Sequence, residues 1–240
     1  MTLAKKHIQK MEMLYSNDIA NIKTKVYDTY QDMKHDTSPI LELLPLTTVD
    51  TIFYCKAHYD IGKIAVLNFA SYKKPGGDFE QGASTQEESL CHASLLFNVL
   101  QRQKDYYQYN NLHKNRGMYM NRLLYSVNIP FFLNEKIAYC DVITCAAPNR
   151  SILLNYHSFT ENENIAALRE RMTLIKYAAE QHNVTTLILG AYGCGVCKQK
   201  PNIVGKNFLH IFQKSSIAKI IFGIPKGPNF KIFKELLSAH

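Results

Sequence analysis

Residues Ile64-Ala65-Val66-Leu67-Asn68-Phe69-Ala70 form a short, almost wholly apolar run. It ends just before Pro75-Gly76-Gly77-Asp78-Phe79-Glu80-Gln81-Gly82-Ala83-Ser84-Thr85-Gln86-Glu87-Glu88. Such a run predicts a strand buried on both faces, and that burial requires helices above and below its sheet. The segment after it predicts a glycine loop, then a helix whose first turn carries two adjacent carboxylates. Backbone N–H groups of a glycine loop can turn toward an anion, and a nearby carboxylate can transfer protons.

The alternation continues along the chain. Strands are predicted over residues 51–56, 139–146, 185–191 and 218–224, and helices over 4–15, 163–182, 201–213 and 229–239. One long helix is expected after the glycine loop, with Leu90, Ala93, Phe97 and Leu100 as its apolar stripe. On the first helix Ile8, Met11 and Leu14 share a face. This order predicts an α/β fold, a mixed, mostly parallel sheet between two helical layers. Residues 1–50 read as an N-terminal helical extension packed on the core, and 51–240 as the main domain. Ligands of such sheets bind beyond the carboxyl ends of the strands. Three predicted strands end in glycine-containing loops, after Ala70, Ala191 and Ile224. Together these loops would form one rim open to close approach by a phosphate.

The 240 residues, 46% of them hydrophobic, suffice for a core that needs no disulfide staples. No apolar run reaches the roughly 18 residues that span a bilayer. The basic start of the chain is not followed by the apolar stretch of a signal peptide. A cytoplasmic location without a membrane partner is expected. A net charge of +8 favours polyanionic partners, nucleic acid among them, but the lysines are scattered, which suits a solvated surface equally well. Tyr106, Tyr107 and Tyr109 lie among Arg102, Lys104, His113, Lys114 and Arg116. This mixture reads as a connector with anchoring tyrosines more than as an adenine platform.

Of the six cysteines, Cys140 and Cys145 fall in an apolar strand and are expected as buried thiols. Cys194 and Cys197 have the spacing of a redox pair or half a zinc site, but a structural zinc needs four ligands and no second pair is suitably placed. No metal and no cofactor are expected. The glycine loop lacks both the Lys-Ser/Thr of a Walker A loop and the glycine spacing of a Rossmann fingerprint. The carboxylates also admit a purely structural reading, since Ser84/Glu87 and Thr85/Glu88 both fit a capping box. Consecutive helical residues point about 100° apart, so the two cannot share one capping role.

The same segment resembles the signature of the microbial poly(ADP-ribose) glycohydrolases, a family with a macrodomain fold: three glycines, a spacer, then Gln-Glu-Glu. Here it reads Gly76-Gly77-Asp78, a spacer, and Gln86-Glu87-Glu88. Residues 66–71, 89–91, 124–130, 141–149 and 189–195 resemble further family segments in family order, so the resemblance covers most of residues 60–225. It implies a macrodomain-like fold that hydrolyses ribose glycosidic bonds of ADP-ribose or poly(ADP-ribose) on modified proteins. By the same resemblance Glu88 is the catalytic acid and Glu87 holds the adjoining ribose hydroxyls, with Gln86, Ser71 and Asn68 nearby. Gly76, Gly77 and Gly82 would face the distal ribose and diphosphate, and Gly193 and Gly195 would close from the other side. Two positions depart from the pattern. Asp78 replaces the third glycine, and Cys197 stands where the family usually has an aromatic, with Tyr192 the candidate replacement ring. Both departures touch substrate fit. They leave open a mono-ADP-ribosyl-protein hydrolase or a non-catalytic ADP-ribose reader, and the cysteine pair leaves open a redox or metal protein.

Overall fold

The apolar run at residues 64–70 lies at the middle of the sheet. A computed structural model describes residues 2–59, 62–157 and 159–239. The chain begins with α1 (Leu3–Asn21), β1 (Thr24–Tyr27), β2 (Ile40–Leu44), α2 (Thr48–His58) and β3 (Lys63–Phe69). It continues through α3 (Gln86–His92), α4 (Leu96–Gln101), α5 (Lys104–Leu112), β4 (Leu123–Leu133) and β5 (Lys136–Cys145). Then come α6 (Arg150–Tyr156), α7 (Glu161–Gln181), β6 (Val184–Leu189), α8 (Pro201–Ile211), β7 (Lys219–Gly223) and α9 (Pro228–Ser238).

The sheet has seven strands in the order β1-β4-β5-β3-β6-β7-β2. From β5 through β3, β6 and β7 to β2 every pairing is parallel, while β4 runs antiparallel to both β5 and β1. Because side chains alternate along a strand, β3 feeds two cores. Ala65 and Leu67 share one with Leu168, Met172 and Ile175 of α7, Phe208 of α8 and Phe233 of α9. Ile64 and Val66 share the other with Met11, Ile52, Leu90, Phe97 and Tyr106 from α1 to α5. The expected three-layer α/β/α arrangement follows.

Several local expectations are corrected. Residues 51–56 are not a strand but the middle of α2. Thr47 caps this helix by accepting from the Asp50 N–H at 3.2 Å, and Thr51, Ile52 and Cys55 form its buried face. The β-branched and aromatic residues there favour a strand locally, but the cap and the helical spacing of the buried face prevail. The single helix expected after the glycine loop is two. Ser94 Oγ donates to Leu90 O at 2.6 Å and accepts from Leu96 N–H at 3.0 Å, while Phe132 N–H of β4 takes Ala93 O at 2.7 Å. On α1 the buried face runs through Ala4, Met11 and Ile19, and Leu14 is exposed. Residues 17–50, expected as an extension, supply β1 and β2, the two edge strands of the sheet.

The β4–β5 hairpin escaped sequence reading apart from residues 139–146. Its strands pair through Leu133 and Lys136, so Asn134 and Glu135 make a two-residue turn, with φ of +45° and +64°. Left-handed φ at both positions is what a two-residue hairpin demands. Glu135 is the wrong residue for it. Replacing it should remove a left-handed penalty of roughly 1–2 kcal/mol and add about 0.4–1 kcal/mol of unfolded-chain entropy. Glu135→Gly is therefore expected to raise the thermal midpoint by about 1–3 °C, read by calorimetry. A lower midpoint would contradict this account of the turn.

Candidate active site

The strands β3, β6, β7 and β2 are parallel neighbours, so their carboxyl ends release the chain on one edge. A cavity of about 580 Å³ opens there. It is lined by Phe69 at the end of β3, by Ser84, Thr85, Gln86 and Ser89 around the start of α3, and by Ala191, Gly193 and Gly195–Cys197 after β6. Gly223–Asn229 after β7 and Thr47 and Thr48 at the start of α2 complete it. This is the size of a small-molecule or cofactor site. Of the three glycine-containing loops expected to form one rim, those after β6 and β7 bring their glycines to it, while the one after β3 contributes Ser84 and Thr85 and not its glycines. The rim's fourth component, Thr47 and Thr48, was missed because the chain around it read as the approach to a strand.

Gln86 attaches α3 to the sheet. Its Nε2 donates to Leu67 O at 2.8 Å and to Thr48 Oγ1 at 3.2 Å, and its Oε1 accepts from Phe69 N–H at 2.8 Å. The pairing of β3 with β6 stops at Val66 and Ile188, so this side-chain amide continues the ladder one step past the end of β6. The next two residues are then buried, with Glu87 and Glu88 only 2% and 4% exposed.

Buried carboxylates require donors, and each has them. Glu87 Oε1 accepts from Asn68 Nδ2 at 3.2 Å, and Oε2 accepts from Ser71 N–H at 2.6 Å. Glu88 Oε1 accepts from Asp78 N–H at 3.0 Å, and Oε2 accepts from Thr85 N–H at 3.0 Å and from the Thr85 hydroxyl. Of the two possible capping boxes the structure forms the Thr85–Glu88 one, so capping accounts for Glu88 and not for Glu87. Burial, with the neighbouring Glu88 charge adding to it, pushes Glu87 up to about 8 against the pull of the Ser71 N–H and the Asn68 amide.

The glycine loop is shaped to these carboxyls. Gly77 has φ +58°, and a Cβ there would lie 2.6 Å from Glu88 Oε1 and 3.1 Å from Glu87 Oε2. The backbone and the carboxyls both exclude a side chain. Asp78, in contrast, has φ −98°, so its backbone does not need glycine. Its largely exposed side chain pairs with Lys74. Gly82, φ +84°, closes the short 3₁₀ turn Phe79–Gln81, and Ser71 Oγ accepts from Lys73 and Lys74 N–H at 3.3 and 3.4 Å. Asn68, Ser71, Gly76, Gly77 and Asp78 therefore surround the carboxyl pair; neither they, nor Gly82, nor Glu87 and Glu88 themselves line the cavity, whereas Gln86, Gly193, Gly195 and Cys197 do.

Tyr192 is placed otherwise than expected. It is fully buried, with its ring 5.7 Å from Phe69 in an edge-on contact, and the aromatic that lines the cavity is Phe69 itself. The chain turns after β6, with Tyr192 N–H donating to Gly190 O at 2.8 Å, and the ring enters the core shared by Leu187 and Leu189, which the glycines around it concealed. Burial pushes the thiols of Cys197 and Cys194 up to about 11 and 12, opposite to an activated cysteine. Among the described residues no group of three or more His, Cys, Asp or Glu is placed to hold a metal. Tyr106 and Tyr107 are buried, and the Tyr109 ring is 3.9 Å from the His113 ring, stacked, and 3.9 Å from the Arg122 guanidinium. That segment is an anchored connector. Arg171 carried no local signal at all. It is 1% exposed beneath this region, bonded to Ala146 O, Asn121 Oδ1 and Met118 O.

Comparison with known folds and families is consistent with this geometry. Poly(ADP-ribose) glycohydrolase of Thermomonospora curvata, as a mutant, is 24% identical, with 97% of each chain covered and a TM-score of 0.84. The Deinococcus radiodurans enzyme in complex with ADP-ribose is 23% identical, with 100% of this chain and 98% of that chain covered and a TM-score of 0.80. The Thermomonospora curvata enzyme bound to the inhibitor ADP-HPD is 24% identical, with 96% and 88% covered and a TM-score of 0.77. At these identities the likeness establishes the fold. Comparison with curated proteins finds no match. The family comparison matches the microbial-type PARG catalytic domain over residues 3–134, a span that takes in α1, both edge strands, the glycine loop and the carboxyl pair. With more than half of its length matched, the chain belongs to the microbial-type poly(ADP-ribose) glycohydrolase catalytic-domain family.

Proposed function

We propose that this protein hydrolyses ribose glycosidic bonds of ADP-ribose modifications on proteins and releases ADP-ribose. The observation that carries the reading is the carboxyl pair Glu87–Glu88, buried against Gly77 in the helix turn whose Thr85, Gln86 and Ser89 line a nucleotide-sized cavity. Cleavage breaks the bond between the ribose anomeric carbon and its exocyclic oxygen through an oxocarbenium-like state. A carboxylic acid gives its proton to the leaving oxygen. The resulting carboxylate then takes a proton from water as that water bonds to the anomeric carbon. In this reading Glu88 is that acid and base, and Glu87 holds the ribose hydroxyls next to it. The glycine backbones after β6, which line the cavity, orient the diphosphate, so that the sugar reaches Glu88 in one pose. Asp78 fits this arrangement, because Lys74 neutralises its side chain away from the cavity.

A second reading exchanges the two carboxyls. It is favoured by one fact: burial pushes Glu87, at about 8, into the range of a proton donor at neutral pH. Release of ADP-ribose from poly- and mono-ADP-ribosylated proteins separates the readings. Glu88→Gln is expected to lose roughly 10²–10⁴-fold in rate with ADP-ribose binding retained, and Glu87→Gln to lose less. The reverse order would assign the acid to Glu87. Binding without release by the wild type would make the protein a reader. Gly77→Ala should also cut the rate by at least about 10-fold, since a misplaced reacting group of this kind is costly. An unchanged rate in that variant would separate the glycine loop from the chemistry.

Glu87 also sets a pH dependence of stability. Its folded pKa of about 8 lies above the ordinary 4.5, so the native state holds the extra proton between those values. Stability from this group is complete below about pH 4.5 and is lost as pH rises through about 8. Thermal midpoints measured from about pH 5 to about pH 9 should therefore fall more steeply for wild type than for Glu87→Gln. Parallel curves would show that Glu87 is ionised throughout.

A further inference from the structure

The cavity is poor in charge. Of its lining residues Lys226 alone carries one, while Glu87 and Glu88 lie in the helix turn that borders it. A diphosphate brings about two more negative charges to this edge. Glycine-loop amides offer only partial charges in return. Of the other cations nearby, Lys73 and Lys198 are exposed but do not line the cavity, and the rest are committed. Lys74 pairs with Asp78, Lys200 with Glu161 at 3.2 Å, and Arg150 also with Glu161. Arg171 lies beneath the loop after β6, under Ala146, whose neighbour Ala147 packs on Gly193, but its donors are used on Ala146, Asn121 and Met118. It contributes a field from below and does not reach a ligand.

Lys226 is set apart by its place in the cavity lining. It is exposed on the rim, and among the described residues no carboxylate lies within ion-pair distance of it. Its loop is short, between the end of β7 and the start of α9, and is flanked by Pro225 and Pro228. Proline fixes its own φ, which restricts the loop on both sides of Lys226, and a lysine side chain at the cavity mouth is long enough to meet a ligand there.

We infer that Lys226 is the counter-cation for the ligand's diphosphate, and so the residue that makes this cavity prefer a nucleoside diphosphate sugar to an uncharged nucleoside. The inference rests on the ADP-ribose reading of the site. Calorimetric titrations of wild type, Lys226→Met and Lys226→Arg with ADP-ribose and with adenosine, at low and high salt, test it. Lys226→Met is expected to bind ADP-ribose roughly 10-fold more weakly, with a shallower salt dependence. Its adenosine affinity and thermal midpoint should match wild type, and Lys226→Arg should keep most of the ADP-ribose affinity. Undiminished ADP-ribose binding by Lys226→Met, or equal losses for both ligands, overturns the inference and leaves the functional reading standing. A wild type that binds neither ligand removes the functional reading and the inference with it.

Discussion

The site depends first on the amide of Gln86. By pairing with Leu67 O and Phe69 N–H it acts as one more residue of a neighbouring strand, where β6 has already ended. Two consequences follow. The backbone polar groups at the end of β3 are satisfied, as burial requires. The first turn of α3 is also held against the sheet, so the two residues after Gln86 are carried beneath the glycine loop. Had β6 continued, there would be no space for the cavity. Had the ladder simply stopped, nothing would fix the angle of α3.

Burial of two adjacent carboxyls is the second constraint, and the surrounding sequence answers it residue by residue. Asn68 and Ser71 serve Glu87, and Thr85 and Asp78 serve Glu88. Only a residue without a side chain fits between the carboxyls at Gly77. The same packing that raises the proton affinity of Glu87 also makes the pair unable to tolerate a bulkier loop. Raised proton affinity and intolerance of a side chain in the loop have a common origin here.

The family's three-glycine signature is reduced to two without loss of backbone geometry, because only Gly76 and Gly77 of that triplet are left-handed, at φ +64° and +58°. Asp78 uses its N–H toward Glu88 and its side chain toward Lys74. The missing aromatic after the second loop is not replaced by Tyr192, which belongs to the core. Phe69 lines the cavity from the end of β3 instead.

Much was readable from local order. A short apolar run followed by glycines, then a helical stripe, specifies a buried strand, a tight loop and a helix, and repeats of that order specify the layered sheet. Gln86-Glu87-Glu88 could be singled out because polar residues beside such a strand have few structural uses. Local order misled where tertiary partners decide: the capped helix α2 resembled a strand, Ser94 and β4 split one helix into two, and residues 17–50 became sheet edges only by pairing with β4 and β7. Sequence by itself determined which residues could do chemistry, since residue type, spacing and backbone freedom are local properties. Tertiary structure alone decided that Glu87 is the carboxyl pushed toward neutrality, that Tyr192 is core, and that Lys226 stands at the cavity mouth, because burial, alternation and convergence of strand ends exist only once distant segments meet.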